Sequence, residues 1–461
     1  MCAVRGLFMP AKPSNARTVA FEVLVAVESS QAYSNLLLPA TFRSSNLSTE
    51  ERRFATELVY GTLRWQGFYD RIIERVAGRP LHKIDTPVLV CMRLGVHQLL
   101  TLEKPRHAIV NEMVDVAKKQ IGKSVTGFIN ACLRKVADKS VQQWIDSLSA
   151  DAVNDVQRLS IEFAHPEWII DEFEKSLTSH GRNNDVAALL AADNVNPTVT
   201  CVALPGFTQA HEDNVETQYS PFAFVLKGGD PASVTGISEG HVRVQDEGSQ
   251  LAALALTRAV PITEGEKWLD LCAGPGGKAA LLAAEARLGG AHVSCNEVNE
   301  ARSGLVAQAL GPFSNVTVVT SDGREWGNTH PEEFDRIMLD APCSGLGSLR
   351  RRPESRWRKK PSDVEALVPL QRELLESAVA ALKPGGIIAY VTCTPVVVET
   401  EGILQQCLQV HPELSELDVW DVLAPVTTTP LPRAGTGRAV QLWPHVHGTD
   451  AMFISLLLKK A

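Results

Sequence analysis

The sequence lacks several patterns that would place it in other classes of protein. Its nine cysteines include no C-x-x-C pair, which argues against a zinc site and against the disulfide framework of a secreted protein. Reduced thiols in the cytoplasm fit this usage best. No apolar run is long enough to span a membrane, and no charged segment followed by an apolar one opens the chain. We therefore expect a cytoplasmic protein that is not exported and uses neither a metal nor a membrane.

The chain carries a net negative charge, which by itself does not suggest a nucleic-acid-binding protein. The charge is, however, unevenly distributed along the sequence. The net charge is −8, yet residues 1–150 contain 20 Lys and Arg against 13 Asp and Glu. A basic N-terminal third beside an acidic remainder indicates a surface that faces nucleic acid. An ordinary solvated surface explains the charge alone nearly as well. The length of 461 residues predicts two or three domains.

Helical periodicity dominates residues 17–137. Apolar residues recur there at the spacing of a buried helix face, for example at Ile109 and Met113. Ser48 and Glu51 form a capping box ahead of one such stripe. This part of the chain is predicted to be a compact all-α bundle.

Strand and helix patterns alternate from residue 241 onward. The predicted strands occupy residues 267–272, 292–295, 316–320, 336–339, 386–391 and 451–458. Helical patterns lie between them, including residues 277–286, 299–309 and 362–382. This alternation predicts a mostly parallel, doubly wound sheet. The predicted fold is multi-domain, with an all-α bundle at 1–140, a small α/β linker at 141–240 and an α/β domain at 241–461.

The stretch WLDLCAGPGGK, residues 268–278, is predicted to be a strand, a glycine loop and the start of a helix. Gly274, Gly276 and Gly277 let the backbone approach a ligand closely, and the helix N-terminus attracts negative charge. The spacing is neither that of a dinucleotide-binding loop nor that of a P-loop. Such a loop suits a nucleoside with a carboxylate tail, such as S-adenosylmethionine. A plain tight turn explains the glycines alone equally well.

Two acidic residues follow the next two predicted strands. Glu297 comes after the second strand, where a carboxylate accepts hydrogen bonds from both ribose hydroxyls. Asp322 follows the third strand and is placed to accept a hydrogen bond from an adenine amino group. Either acid alone is more often a solvated loop residue. Together with the glycine loop they predict one nucleoside lying across the strand ends.

Two further predicted strands each end in a cysteine. The first ends in Asp340, Ala341, Pro342 and Cys343, and the second ends in Thr392 and Cys393. Buried structural cysteines are the ordinary alternative.

This set of groups matches the needs of methyl transfer to C5 of a cytosine. That carbon becomes nucleophilic only after a thiolate has added to C6. A carboxylate such as Asp340 can hold the base near N3 while its ring carries charge. Proton removal and thiol release then need further groups. Spacing alone does not say which cysteine is the nucleophile.

A basic run with one aromatic residue follows the first of these cysteines. It contains Arg350, Arg351, Arg352, Arg356, Arg358, Lys359 and Lys360, with Trp357 among them. Its position just past the predicted site favours contacts with RNA phosphates and stacking on a base. The alternative is a solvated basic loop.

Several motifs resemble those of the bacterial 16S rRNA cytosine-C5 methyltransferases of the Sun/Fmu (RsmB-like) type. ERRFATELVYGTLR (51–64), MRLGVHQLL (92–100), PRHAIVNEMVDVAKK (105–119) and GFINACLRKV (127–136) resemble the family's N-terminal domain, which is similar to the antitermination factor NusB. AHPEW (164–168) resembles its linker. VRVQDEGSQLAALAL (242–256), the glycine loop, LDAPCSGLG (339–347), RRRPESRW (350–357) and HGTDAMF (447–453) resemble its Rossmann-like class I methyltransferase domain.

The resemblance implies roles for individual residues. Cys393 would be the nucleophile that attacks C6, Cys343 would assist product release, and Asp340 would complete the catalytic set. The implied contacts to S-adenosylmethionine are Cys272, Ala273, Gly274, Pro275, Gly276, Gly277, Lys278, Glu297, Arg302, Asp322 and Asp340. Two features depart from the family. Glu297 stands where Asp is commoner, and CVALPG (201–206) lacks the Arg-Val-Asn that often follows the linker strand.

The function predicted from these observations is methylation of a cytosine C5 in 16S rRNA, naked or in an assembly particle, by a monomeric enzyme. The same chemistry on tRNA or 23S rRNA is an alternative. A non-catalytic RNA-binding module for ribosome assembly or antitermination is another, although Asp340, Cys343 and Cys393 are all intact. A nicotinamide oxidoreductase is disfavoured because the G-x-G-x-x-G spacing is absent.

Overall fold

A computed structural model describes residues 15–30, 32–208, 215–227 and 234–461. These residues form two compact units. The first lies within residues 1–170 and includes 349–358, and the second lies within residues 171–348 and 359–461. The predicted divisions at residues 140 and 240 fall inside these units and remain predictions.

The first unit is helical, as its apolar periodicity predicts, and its described residues contain no strand. Its helices are α1 (Ala16–Ser30), α2 (Ser34–Ser44), α3 (Thr49–Arg64), α4 (Gln66–Ala77), α5 (Thr86–Thr101), α6 (Arg106–Gln120), α7 (Thr126–Ala137), α8 (Val141–Ser149) and α9 (Asp155–Phe163). The capping box at the start of α3 is confirmed. Ser48 N donates to Glu51 Oε2 at 2.9 Å, and Glu51 N donates to Ser48 Oγ at 3.3 Å.

Helix α5 forms the centre of this bundle. Twelve of its 16 residues are buried, because its apolar side chains cover every face and not one stripe. The one arginine among them, Arg93, is buried together with a partner. Its Nε donates to Asp70 Oδ1 at 2.6 Å, and its Nη2 donates to Asp70 Oδ2 at 2.8 Å. A buried charge needs such a partner, so this pair keeps the centre of the bundle satisfied.

Residues 349–358, which we call the inserted segment, belong to this helical unit although they follow the Cys343 loop in the chain. The segment contains the short helix α16 (Ser355–Arg358). Arg356 has 0% exposure, and its Nη1 donates to the carbonyl oxygen of Arg64 at 3.0 Å. The ring of Trp357 lies so close to Gly67 that an added Cβ there would overlap it.

The prediction that the basic run contacts RNA is therefore wrong for two of its members. Arg350 and Arg356 are buried within the helical unit. The backbone carbonyl oxygen of Arg350 accepts from Arg64 Nη2 at 3.0 Å, and the guanidinium of Arg356 donates to the Arg64 carbonyl oxygen. The sequence pattern misled because a guanidinium that hydrogen-bonds backbone carbonyls in a protein interior looks the same in sequence as one that faces a phosphate. Arg352 and Lys360 are exposed, so for them a phosphate contact stays a prediction.

The second unit begins with helices and a small antiparallel sheet. These elements are α10 (Glu167–Ser179), which starts in the first unit, α11 (Val186–Asp193), β1 (Thr200–Ala203), β2 (Val215–Glu216), β3 (Ala223–Val225) and β4 (Val242–Val244). The sheet order is β2-β3-β1-β4. A small core that includes Cys201, Phe224 and Val242 lies against it, so the predicted α/β linker is confirmed in kind.

An eight-stranded mixed sheet forms the rest of the second unit, in the order β10-β12-β9-β8-β5-β6-β7 with β11 paired to β12. Its strands are β5 (Lys267–Asp270), β6 (His292–Asn296), β7 (Val316–Val319), β8 (Phe334–Asp340), β9 (Leu382–Thr392), β10 (Leu414–Leu417), β11 (Val440–Gln441) and β12 (Phe453–Lys459). The helices that accompany them are α12 (Glu247–Arg258), α13 (Gly277–Gly289), α14 (Glu300–Leu310), α15 (Trp326–Thr329), α17 (Pro361–Ala381), α18 (Glu401–Val410), α19 (Val419–Leu423) and α20 (Pro444–His447).

Strands β5 to β9 are parallel to one another, so their carboxyl ends meet at one edge of the sheet. Asp270 at the end of β5 is in register with Met338 of β8, and Asp340 is in register with Val391 of β9. Open α/β sheets bind their ligands at this edge. Across the described ranges, no helix is long and apolar enough to cross a membrane.

Candidate active site

The glycine loop between β5 and α13 is shaped by close contacts with the neighbouring strand end. A Cβ added to Gly274 would overlap Oε2 of Glu297, which follows β6. Gly276 has a φ of +105°, and an added Cβ would lie 2.6 Å from that of Ala309. Both positions therefore require glycine, one for space and one also for its backbone angle. We call the closely packed space around Gly274 and Gly276 the cradle. A loop that served only as a tight turn would not need it.

Glu297 and Arg302 complete the cradle. Glu297 is 3% exposed, and its Oε1 accepts a hydrogen bond from Asn299 N at 3.0 Å. Arg302, in the first turn of α14, donates from Nη2 to the Gly274 carbonyl oxygen at 2.6 Å. The same nitrogen lies 3.4 Å from Glu297 Oε2. The guanidinium thus ties the loop to the acid, and three of the predicted cofactor contacts lie in one cluster.

Asp322 does not join this cluster. It precedes a short turn after β7, and its carboxylate accepts from Arg324 Nη2 at 2.6 Å. Side-chain and backbone hydrogen bonds from Arg324 lower the pKa of Asp322 below its ordinary value. Among the described residues no hydrogen bond joins Asp322 to the glycine loop, so its predicted contact to an adenine amino group stays a prediction.

Asp270, the last residue of β5, is an acidic group that the sequence-based prediction missed. It is 1% exposed. Burial and the nearby charge of Asp340 raise the pKa of Asp270 to about 8. A signal was present in the sequence, because an acid at the end of an apolar strand directly before a glycine loop is unusual for a buried position.

Lys278 and Asp340 form an ion pair at the centre of the site. Lys278 Nζ donates to Asp340 Oδ2 at 2.8 Å, and the lysine side chain is 11% exposed. Burial by itself lowers the pKa of Lys278, but the Asp340 carboxylate outweighs burial and raises it above its ordinary value. The negative charge of a Cys393 thiolate acts in the same direction. The ammonium group thus binds the Asp340 carboxylate and interacts electrostatically with Cys393.

The two predicted catalytic cysteines lie side by side. Cys343 follows β8, Cys393 follows β9, and their Sγ atoms are 3.3 Å apart. The hydrogen bond with Cys393, together with burial, raises the pKa of Cys343 well above its ordinary value. Either sulfur can donate the hydrogen in this contact. Two structural cysteines in a core have no need of this arrangement.

The remaining predicted cofactor contacts lie in or directly after the glycine loop. Cys272, Ala273, Pro275 and Gly277 occupy the stretch from the end of β5 to the start of α13. Burial and the charge of Asp270 raise the pKa of Cys272, which disfavours its thiolate. At Gly277 an added Cβ would have nothing within 4 Å, which leaves open space at the first turn of α13.

Comparison with families of known proteins separates the chain into two parts. The family described as 16S rRNA methyltransferase RsmB/F matches residues 258–458. The NusB family matches residues 14–138, which confirms the NusB-like interpretation of the N-terminal bundle.

Full-length relatives carry methyltransferase names. Rv1407 of Mycobacterium tuberculosis, whose name describes a methyltransferase without a substrate, is 42% identical over 448 residues, which cover 96% of each chain. Ribosomal RNA small subunit methyltransferase B of Pseudomonas putida is 30% identical over 463 residues, which cover 97% of this chain and 99% of that protein.

Solved structures share the fold. The crystal structure of PH0851 matches 99% of this chain and 100% of its own, with a TM-score of 0.79 and 22% identity. A methyltransferase homologue from Pyrococcus horikoshii matches 67% of this chain and 100% of its own, with a TM-score of 0.53 and 23% identity. At these identities the likeness shows a common fold and nothing finer.

Proposed function

The chain belongs to the RsmB/F family of methyltransferases, and from that premise we propose that it methylates C5 of a cytosine in 16S rRNA through a covalent adduct of Cys393. The family membership and the use of S-adenosylmethionine follow from the comparisons. The position of methylation, the adduct and the choice of RNA are our proposal. The observation that carries it is the pair of thiols 3.3 Å apart beside the Asp340–Lys278 ion pair.

The cradle around Gly274 is where we place the cofactor. Buried Glu297, held by Asn299 N and close to Arg302, is suited to accept hydrogen bonds from ribose hydroxyls. The open space at Gly277 lies at the first turn of α13, where backbone N–H groups favour a carboxylate. S-adenosylmethionine, when bound, supplies an electrophilic methyl group on sulfur.

Cys393 is the group that we assign to attack on C6. The Sγ of its neighbour Cys343 lies 3.3 Å away, where an S–H group can donate to a thiolate on Cys393, and the pKa of Cys343 is raised by burial and by this contact. Lys278 adds a positive charge near the same sulfur. Spacing in the sequence does not distinguish the two cysteines, so the assignment of their roles follows the resemblance, and the interaction of the Lys278 charge with Cys393 agrees with it.

Asp340 is the group that we assign to hold the base. One of its carboxylate oxygens accepts from Lys278, and no further hydrogen bond to Asp340 is found among the described residues. The other oxygen can therefore accept a hydrogen bond from the N4 amino group of the cytosine, next to N3 on the same edge, and hold the base. Cys343 then assists the release of Cys393 from C6 after the C5 proton has left.

The choice of 16S rRNA is supported by the names of relatives and by the NusB-like bundle. Ribosomal RNA small subunit methyltransferase B of Pseudomonas putida covers almost the whole chain. The same chemistry on tRNA or 23S rRNA is the alternative that the experiment must separate. A non-catalytic RNA-binding role is disfavoured by the intact groups of the site.

The proposal is tested by trapping the adduct. The Cys343→Ala variant is incubated with S-adenosylmethionine and unmodified 16S rRNA and run on a denaturing gel, with Cys393→Ala as the matched control. We expect an RNA-shifted protein band with Cys343→Ala and none with Cys393→Ala. Parallel reactions with tRNA and 23S rRNA identify the substrate class. No shifted band on any RNA, together with no methyl transfer by the wild-type enzyme, would contradict the proposal.

A further inference from the structure

Glu399 is a buried carboxylate beside the two thiols that the steps above do not use. It has 0% exposure and ends the short turn Val397–Glu399, which follows Cys393 in the chain. Burial of an acid is costly unless hydrogen bonds satisfy its oxygens. The groups that donate hydrogen bonds to Glu399 show which part of the backbone this carboxylate holds in place.

Those donors lie on both sides of Cys343. Ser344 N donates to Glu399 Oε1 at 2.8 Å, and Ser344 Oγ lies 2.5 Å from Oε2. Gln371, in α17, donates from Nε2 to Glu399 Oε1 at 3.1 Å and to the Pro342 carbonyl oxygen at 2.9 Å. Pro342 and Ser344 are the neighbours of Cys343 in the chain. Glu399 and Gln371 thus hold the backbone that carries this thiol.

A second connection runs to the turn that carries Cys393. Ser344 Oγ lies 3.0 Å from Oγ1 of Thr394, which is fully buried. A hydroxyl has one proton, and an ionised carboxylate can only accept. The Ser344 proton therefore goes to Glu399, and the bond between the two hydroxyls uses the proton of Thr394. A chain of hydrogen bonds thus links the Cys393 turn through Thr394 and Ser344 to Glu399.

We propose that Glu399 is a positioning residue that holds the Cys343 thiol against Cys393. The inference rests on the proposed function, because it concerns the release step of that reaction. Cys393 directly follows β9 and its carbonyl oxygen accepts from Gly347 N at 2.9 Å, whereas the turn around Cys343 has direct hydrogen bonds to Glu399 and Gln371. Loss of Glu399 therefore displaces Cys343 more than Cys393 and slows release more than attack.

The first test uses the trapped adduct. Glu399→Ala should accumulate RNA-linked protein at least about 10-fold over wild type on the denaturing gel, as a partial copy of Cys343→Ala. Glu399→Gln should stay near wild type, because its oxygen still accepts from Ser344 N and its amide donates to Ser344 Oγ. A merely structural role would lower adduct and methylated product together. An unchanged ratio of adduct to product in Glu399→Ala overturns the proposal.

The second test needs no RNA. Phenylarsine oxide bridges two adjacent thiols: two As–S bonds form, the As–O bond breaks, and water leaves with both thiol protons. We expect the wild-type enzyme and Glu399→Gln to capture the reagent, Cys343→Ala to lose capture, and Glu399→Ala to bind it at least about 10-fold more weakly. Equal capture by Glu399→Ala, or none by the wild-type enzyme, overturns the positioning role.

Two controls keep the outcomes separate. Binding of S-adenosylmethionine shows whether Glu399→Ala is folded. If this variant does not fold, Gln371→Ala replaces it, because it removes the hydrogen bonds to Pro342 and Glu399 and should give the same accumulation of adduct and the same weaker capture of the arsenical. If Cys343→Ala itself forms no adduct, the proposed function fails. If Cys343→Ala forms the adduct and neither Glu399→Ala nor Gln371→Ala does, only the role of Glu399 fails.

Discussion

The two halves of the site are shaped by different parts of the chain, one by backbone and the other by buried polar side chains. The cofactor half consists of the loop 271–276 with Glu297 and Arg302, and its shape comes from backbone and missing side chains. The thiol half consists of the Cys343 and Cys393 turns, and its shape comes from polar side chains that are buried beneath them. Glycine at Gly274 leaves room that any other residue would fill, whereas the thiols are held by hydrogen bonds that several residues must make together.

This difference determines how each half responds to substitution. A site shaped by backbone is sensitive to added atoms, and a site held by buried polar groups is sensitive to removed ones. Lys278 belongs to both halves, because it begins α13 after the glycine loop while its Nζ binds Asp340 of the thiol half. Substitutions in each half therefore test whether binding and chemistry can be separated.

The largest effect is expected in the thiol half. Cys393→Ala removes the proposed nucleophile, so methyl transfer to RNA should fall by at least about 10³-fold while S-adenosylmethionine binding stays within about twofold. Transfer of a labelled methyl group measures the first quantity and equilibrium binding the second. Cys407→Ala is the matched control, since this buried thiol lies in α18 outside the site. Substantial transfer by Cys393→Ala would assign the nucleophile elsewhere.

A smaller effect is expected where the two halves meet. Lys278→Met keeps the length of the side chain but leaves Asp340 without its cation, so the methyl-transfer rate should fall by about 10²-fold. Cofactor affinity should change less than the rate. Lys267→Met is the control, because Lys267 forms an exposed ion pair with Glu333 at the start of β5. Equal losses of rate and affinity would show that Lys278 acts chiefly on the cofactor.

The cofactor half should show the opposite separation. Gly274→Ala places a Cβ against Glu297 and Arg302, so S-adenosylmethionine binding should weaken by at least about 10-fold, which is ~1.4 kcal/mol. Capture of phenylarsine oxide by the thiols should not change. Gly304→Ala in α14 is the control, because nothing lies within 4 Å of its added Cβ. Unchanged cofactor affinity in Gly274→Ala would argue against this location for the cofactor.

The smallest effect concerns Asp270 and depends on pH. The folded chain keeps this proton up to a pKa of about 8, whereas a carboxyl in an unfolded chain releases it near ~3.9. Between these values the folded state holds more protons, so the contribution of Asp270 to the free energy of unfolding falls as the pH rises. Asp270→Asn removes this cost, and its Tm relative to wild type should rise from pH 5 to pH 8, by about 2–4 °C for each kcal/mol of cost removed. A Tm difference that does not vary with pH would contradict the buried proton.

The inserted segment shows where sequence patterns stop being informative. Arg356 and Arg352 belong to one basic run, yet the first is fully buried and the second is exposed. Charge predicts contact with solvent or phosphate only when no interior carbonyl competes for the guanidinium. Here the carbonyl oxygen of Arg64 does so, and it lies 292 residues away in sequence.

Local sequence patterns were enough to predict the type of each part of the chain. Helical stripes, the Ser48–Glu51 cap, the alternation of strands and helices and the glycine spacing all depend on neighbours within one or two turns, so local rules suffice for them. Asp340, Cys343 and Cys393 could also be singled out from the sequence, because they lie at the ends of predicted strands. The resemblance to a known family added roles to these residues that spacing alone could not distinguish.

The contacts between distant segments could not be predicted before the folded chain was seen. Lys278 and Asp340, which form an ion pair, are 62 positions apart in the sequence. The two thiols that lie 3.3 Å apart are separated by 50 positions, and Ser344 and Glu399, which are hydrogen-bonded, by 55. The proton on Asp270 likewise depends on burial among these strands. Such a pKa shift arises from desolvation and from charges that the parallel sheet brings close together, and no local pattern in the chain encodes it.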